Sequence, residues 1–200
     1  MNAQAISNLA YSSDAVSGAA PALLAVRQLR LTDFRNYRQL RLECGHEPVV
    51  LVGANGAGKT NLLEALSFLA PGRGLRRARL DDVCRRSRGD EPSAAGWAAA
   101  ATLDTPEGRL AIGTGLEAGR SESSLPRRAV RIDGRTMQSQ TALGRHVAAV
   151  WLTPQLDRLF LDGATERRRF LDRLVTALHP EHAGDVAAYE NAQRQRARLL

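Results

Sequence analysis

Two cysteines in 200 residues, Cys44 and Cys84, stand far apart with no Cys or His at metal-ligand spacing, so neither a disulfide framework nor a zinc site is expected. Both read as small apolar residues. Aromatic residues make up only 4% of the chain. No apolar run approaches the roughly 20 residues needed to cross a bilayer, which argues against a membrane role and fits a cytoplasmic protein. The first 24 residues, rich in Ala and Ser, contain neither Lys nor Arg. They lack the charged start of a secretory signal and are expected to form a disordered extension. Lysine is almost absent: of 28 basic residues, all but Lys59 are Arg.

What is present is a basic chain, with a net charge of +7 and a pI near 10.6. Such a field favours anionic partners, nucleic acid among them. The pairing of abundant Arg with abundant Ala is also what GC-rich coding produces, so charge alone does not choose between the two.

Partial period-two alternation over Val26–Thr32 and Gln39–Cys44, separated by a polar turn at residues 33–38, predicts an antiparallel hairpin. The continuous run Val49–Val52 is that of a strand buried on both faces. Gly53-Ala54-Asn55-Gly56-Ala57-Gly58-Lys59-Thr60 follows at once, with the G-x-x-x-x-G-K-T spacing of a phosphate-binding loop. From Lys59, apolar residues at 62, 63, 66 and 69 recur at helical spacing until Pro71-Gly72 ends the run. In strand–loop–helix context, glycines let backbone amides turn inward as an anion nest, and the helix N-terminus adds unpaired N–H donors. Lys59 is then expected at the β and γ phosphates of ATP, and the Thr60 hydroxyl on Mg²⁺.

Beyond the loop, Arg73, Arg76, Arg77 and Arg79, then Arg85, Arg86 and Arg88, form the densest basic stretch. It reads either as a DNA-phosphate contact or as a solvated Arg-rich face. Strands are expected over Trp97–Leu103, Arg109–Leu116 and Arg128–Ile132, as an inserted antiparallel β lobe, and over Val147–Leu152 as a return strand. Helices are expected over Arg167–His179 and Asp185–Leu200. Leu159-Phe160-Leu161-Asp162 mimics a Walker B strand, but Gly163 stands where a catalytic acid is needed, so it is read as a decoy. Trp97 and Trp151 are expected in the core.

The hairpin Leu29-Arg30-Leu31-Thr32-Asp33-Phe34-Arg35-Asn36-Tyr37, the loop with Asn61-Leu62-Leu63-Glu64-Ala65, the segment Gly72–Arg76 and Arg167–Asp172 together resemble the amino-terminal head of SMC-like ATPases, in particular the RecF family. The resemblance spans most of residues 27–200. It implies an α/β P-loop NTPase of ABC/SMC-head type: residues 25–72 as the first half of the head, 73–146 as the Arg-rich segment and β lobe, and 147–200 as the return strand and the start of a helical arm. It further implies ATP-dependent homodimerisation, action on single-stranded or gapped DNA in repair and the SOS response, and RecR and RecO as partners. Arg35 and Asn36 would lie near the nucleotide. Gln155, in Pro154-Gln155-Leu156-Asp157, would stand as a Q-loop-like contact to Mg²⁺ or water. No Ser-Gly-Gly-Gln-like signature and no convincing Walker B occur before Leu200, so nucleotide binding rather than hydrolysis is expected of this stretch, read as the first half of a longer head or a truncated one. A different ABC-type subunit and a P-loop small-molecule kinase are the alternatives. The hairpin ahead of the loop speaks against the kinase.

Overall fold

The computed structural model describes residues 24–86, 94–116, 128–154, 156, 159, 161 and 163–199. The expected amino-terminal extension, apart from Leu24, and Gln155 therefore lie outside the described residues.

Strands β1 (Ala25–Phe34) and β2 (Tyr37–Glu43) form the predicted hairpin, closed by the two residues Arg35 and Asn36 between the paired Phe34 and Tyr37. Alternation sets the faces: Leu29, Leu31 and Phe34 of β1 and Tyr37 and Leu40 of β2 are buried, while Arg30 and Arg41 point outward. Strand β3 (Trp97–Thr105) pairs antiparallel with β1, and β4 (Gly108–Leu116), β5 (Arg128–Ile132) and the short β6 (Arg135–Thr136) continue the meander. The result is one six-stranded sheet in the order β2-β1-β3-β4-β5-β6. The strands expected as an inserted lobe thus join the first hairpin directly, with Leu31 opposite Ala99. Four successive alanines, poor strand formers on propensity, are held in β3 by strands on both edges, a tertiary override of local preference.

Helix α1 (Lys59–Ser67) packs on the apolar face through Leu62 and Ala65, followed by Phe68 and Leu69. Small side chains at Ala65, Ala99 and Ala101 admit a close approach, and the space is filled by Phe34, Phe68 and Trp97, whose ring centroids lie 5.0–6.1 Å apart in edge or tilted contacts. Trp97 is core, as expected, with its Nε1–H donated to the Leu80 carbonyl at 2.9 Å. A strap over residues 70–79 leads from α1 to the short α2 (Leu80–Val83), and Leu75 N–H donates to Ser67 Oγ, fastening the strap to the end of α1. Helices α3 (Ala164–Leu178) and α4 (His182–Leu199) form an exposed pair.

Two expected strands differ. Val49–Val52 and Val147–Leu152 are not strands, and Val50, Val52, Val150 and Leu152 are 47–79% exposed. Neither run has a strand beside it among the described residues, and a strand exists only by pairing its N–H and C=O groups. Among the described residues no helix is long and apolar enough to cross a membrane.

Candidate functional site

Residues 53–60 carry the chain from an exposed segment into α1, and the loop's shape follows from its glycines. Gly56 (φ 81°) and Gly58 (φ 107°) occupy the left-handed region, which an L side chain enters at a cost of about 1–2 kcal/mol. At Gly58 space adds a second constraint. A Cβ there would lie 2.5 Å from Tyr37 Oη and 2.7 Å from Asn36 Nδ2, so the hairpin turn and the loop touch because Gly58 has no side chain.

Gly58 is also the N-cap of α1. No side chain caps this helix and no acidic residue stands in its first turn, so the positive end of its dipole is left for another anion. The Lys59 ammonium folds back over the loop and donates to the Gly53 and Ala54 carbonyls at 2.5 and 2.8 Å. Lys59, Thr60, Asn55, Gly56, Gly58, Asn61 and Arg76 line a cavity of about 330 Å³.

One wall of that cavity is a polar chain. Asn36 Nδ2 donates to the Ala57 carbonyl at 3.5 Å, Asn61 Nδ2 to Asn36 Oδ1 at 2.7 Å, and Arg76 Nη1 to Asn61 Oδ1 at 2.7 Å and Glu64 Oε2 at 2.9 Å. Glu64 is fully buried, and Arg35 grips it bidentately from the other side: Nε to Oε2 at 2.8 Å, Nη2 to Oε1 at 2.6 Å. Arg35 also donates Nη1 to the Asp82 carbonyl at 2.7 Å. These bonds hold Arg35 at φ 53° in the hairpin turn. Of the two turn residues expected at the nucleotide, Asn36 faces the loop, whereas Arg35 is spent on Glu64 and α2. The Tyr37 hydroxyl is buried beside Gly58 with no hydrogen-bond partner among the described residues, and burial pushes its pKa up.

Sequence reading did not single out Asn61 or Glu64. Glu64 had a signal: an acid between core-facing Leu62 and Ala65 on α1, in a chain rich in Arg, calls for a buried guanidinium partner. The four arginines expected at DNA are shared among three cavities, Arg73 lining one with Arg77 and another with Arg79. Arg76 turns to the loop cavity, Arg73 and Arg77 border a groove against α3, and Arg79 is the N-cap of α2. Arg85 pairs with Asp33 at 2.8 Å and Arg86 with Asp82 at 2.9 Å, while Arg88 lies outside the described residues. The Arg167–Arg169 run divides: Arg169 reaches Glu166, and Arg168 lies over the Tyr189 ring at 5.5 Å. Trp151 is half-buried rather than core.

For a divalent cation, the described residues lining the cavity offer the Thr60 hydroxyl and the Asn55 amide oxygen, since the Glu64 carboxylate is held by two guanidinium groups. So few protein oxygens suit Mg²⁺, which keeps waters and takes most of its remaining ligands from phosphate. Burial raises the thiol pKa of both Cys44 and Cys84, which makes them weak nucleophiles.

Comparison with known proteins gives a consistent picture. Residues 25–151 match the family of the RecF/RecN/SMC N terminal domain. The DNA replication and repair protein RecF of Caulobacter vibrioides is 51% identical over 180 residues, covering 90% of this chain and 45% of that protein. RecF of Mesorhizobium japonicum is 49% identical over the same shares of each chain. The chain thus spans less than half the length of these relatives. Among solved structures, that of the recombination mediator RecF-ATP in the RecFOR pathway superposes with a TM-score of 0.70 at 19% identity, over 92% of this chain and 46% of that one. A structure from work on ATP-driven dimerization and DNA-stimulated activation of SMC ATPases gives 0.56 at 19% identity, over 74% and 98%. At such identities the likeness is one of fold.

Proposed function

This chain belongs to the RecF/RecN/SMC N terminal domain family, and from that premise we propose that it is the ATP-binding part of a RecF-like DNA replication and repair protein. The observation that carries the reading is the uncapped N-terminus of α1, opening through the left-handed Gly56 and Gly58 on a cavity that also holds Lys59, Thr60 and Arg76. An anion nest, a helix dipole and two cations converge there, with no free carboxylate among the described lining residues to oppose them.

In this reading the backbone of residues 53–60 cradles the polyphosphate. Lys59 exchanges its bonds to the Gly53 and Ala54 carbonyls for the β and γ phosphates, a transfer between acceptors that keeps its charge hydrogen-bonded throughout. The Thr60 hydroxyl would hold Mg²⁺, with Gln155 as a second contact, and the ion would supply charge neutralisation between the phosphates. Asn36 and Asn61 close the cavity from the hairpin side. Single-stranded or gapped DNA is the proposed macromolecular partner, met through the arginines of the strap, with RecR and RecO as protein partners and ATP-dependent pairing of two such heads. The basic charge supports the first of these, and the likeness to an SMC ATPase solved in work on ATP-driven dimerization and DNA-stimulated activation supports the last. A cytoplasmic site of action and a role in SOS induction follow from the same reading, as does the division into a head half at 25–72, a strap and meander at 73–146, and an arm beginning within 147–200.

Titration calorimetry tests it. The chain should bind ATP in the presence of Mg²⁺, more weakly when EDTA removes the metal, and Lys59→Ala should reduce the affinity by roughly a hundredfold, about 2.7 kcal/mol, with an unchanged circular dichroism spectrum. An unaltered affinity in that variant would remove the loop from the site.

A further inference from the structure

The strap and α3 face one another across a groove of about 370 Å³, lined by Arg73, Arg77, Trp151, Arg169 and Arg173 among others. Two carboxylates also line it, and both are engaged. Asp172 Oδ1 stands 3.0 Å from His182 Nε2, and Glu190 Oε2 stands 3.8 Å from Arg194 Nη1. Arg169 pairs with Glu166 outside the groove. Arg73, Arg77 and Arg173 have no carboxylate within ion-pair distance among the described residues.

The Arg173 guanidinium carbon sits 4.6 Å from the centroid of the Trp151 ring. Burial and the nearby Arg77 push the Arg173 pKa down against an opposing pull from Glu166, so its charged form gains from an added anion. The two walls are held in register by Gly144, where a Cβ would come within 3.0 Å of Pro71 and 3.1 Å of Pro180.

Each candidate occupant makes a different demand. Duplex DNA keeps its bases stacked inside and offers phosphates alone, which an exposed row of arginines would meet without an aromatic partner. An acidic peptide would satisfy the charges and leave the Arg173–Trp151 stack unused. An unpaired nucleotide uses both, because phosphate pairs with guanidinium and a base stacks on a guanidinium plane or an aromatic ring. The volume also suits a single nucleotide unit.

We propose that this groove receives one unpaired nucleotide of a DNA strand, with phosphates on Arg73, Arg77 and Arg169 and the base against the Arg173–Trp151 stack. It rests on the DNA-binding reading above and adds to it a second wall, α3, and a seat for one base of the strand.

Fluorescence anisotropy with a labelled oligo-dT and a duplex of equal length, together with the tryptophan emission of the chain, decides it. The strand should bind about tenfold tighter than the duplex and quench emission. Arg77→Gln with Arg173→Gln should weaken strand binding roughly tenfold or more and lower the salt slope by about one, the share of the phosphate contact at Arg77. Arg77→Gln alone, on an exposed side chain, carries the same test should the double variant unfold. Trp151→Phe should abolish the quench, since Trp97 is buried in the core. Binding of a fluorescent ATP analogue should stay the same in every variant. Strand binding that survives these substitutions, or a quench that survives Trp151→Phe, refutes the groove and leaves the DNA-binding reading standing. Failure of the unaltered chain to bind any DNA removes that reading and the groove together. Equal competition by poly-glutamate, lost in the same variants and without a quench, assigns the groove to an acidic protein and overturns the proposal.

Discussion

At the scale of single residues, Gly58 and Glu64 carry the most. Gly58 combines a left-handed backbone with contact against Tyr37 and Asn36, so Gly58→Ala meets torsional strain and overlap at once. A loss of about 3 kcal/mol is expected, read as a lowered melting temperature in thermal denaturation. Glu64 is a buried anion between Arg35 and Arg76. Glu64→Gln leaves Arg35, which is largely buried, facing a neutral amide, and should cost about 3–5 kcal/mol, seen as a shift of the urea midpoint at constant slope. Gly58 was legible in the sequence through the spacing to Lys59, because loop chemistry demands glycine there. Glu64 was less so. Its role depends on Arg35 and Arg76, which are brought to it by a hairpin turn and a strap that no local pattern predicts.

At the scale of elements, the strap between α1 and α2 is held chiefly by Arg128, at the start of β5. Its guanidinium donates to the carbonyls of Phe68 and Gly72, to Gln140 Oε1 and to Thr114 Oγ1, and lies 5.2 Å from the Phe68 ring. Phe68 is the C-cap of α1, so the cation also meets the negative pole of that helix. Burial pushes the Arg128 pKa down to about 10. Arg128→Met keeps the apolar stem and deletes every one of these bonds. It should destabilise the chain by about 3 kcal/mol and speed amide exchange in residues 68–75 before the rest of the sheet, a pattern hydrogen-exchange mass spectrometry resolves. Element by element, the strands β1 to β5 and the helices α1, α3 and α4 were readable from apolar patterning and turn residues. The connection of β3 to β1 was not, since period and turn residues specify where a strand lies and leave open which neighbour it pairs with. Val49–Val52 has the composition of a buried strand and no pairing partner among the described residues, so composition alone misled.

At the scale of the whole molecule, two features stand out: the groove lined by arginines of the strap and α3, and the apolar side chains of Val50, Val52, Val150 and Leu152, exposed in segments outside the sheet. Exposed valines of this kind bind hydrophobic dyes and promote association. The 200-residue chain on its own should therefore enhance the fluorescence of anilinonaphthalene sulfonate, and Val50→Thr with Leu152→Ser should reduce the signal by about half or more without loss of helix by circular dichroism. An unresponsive dye would mean that these residues are covered in solution. The overall charge was legible from composition, but its division was not: distance along the chain gives no hint that Arg76 serves the phosphate loop while Arg77, one residue later and at φ 53°, faces α3. The scarcity of lysine has a practical sequel here. With a single ε-amine in the chain, seated among the carbonyls of residues 53 and 54, cleavage by a lysine-specific protease reports on one place only. Protection by an occupant can thus be read from the intact mass of the chain, without labels or engineered probes.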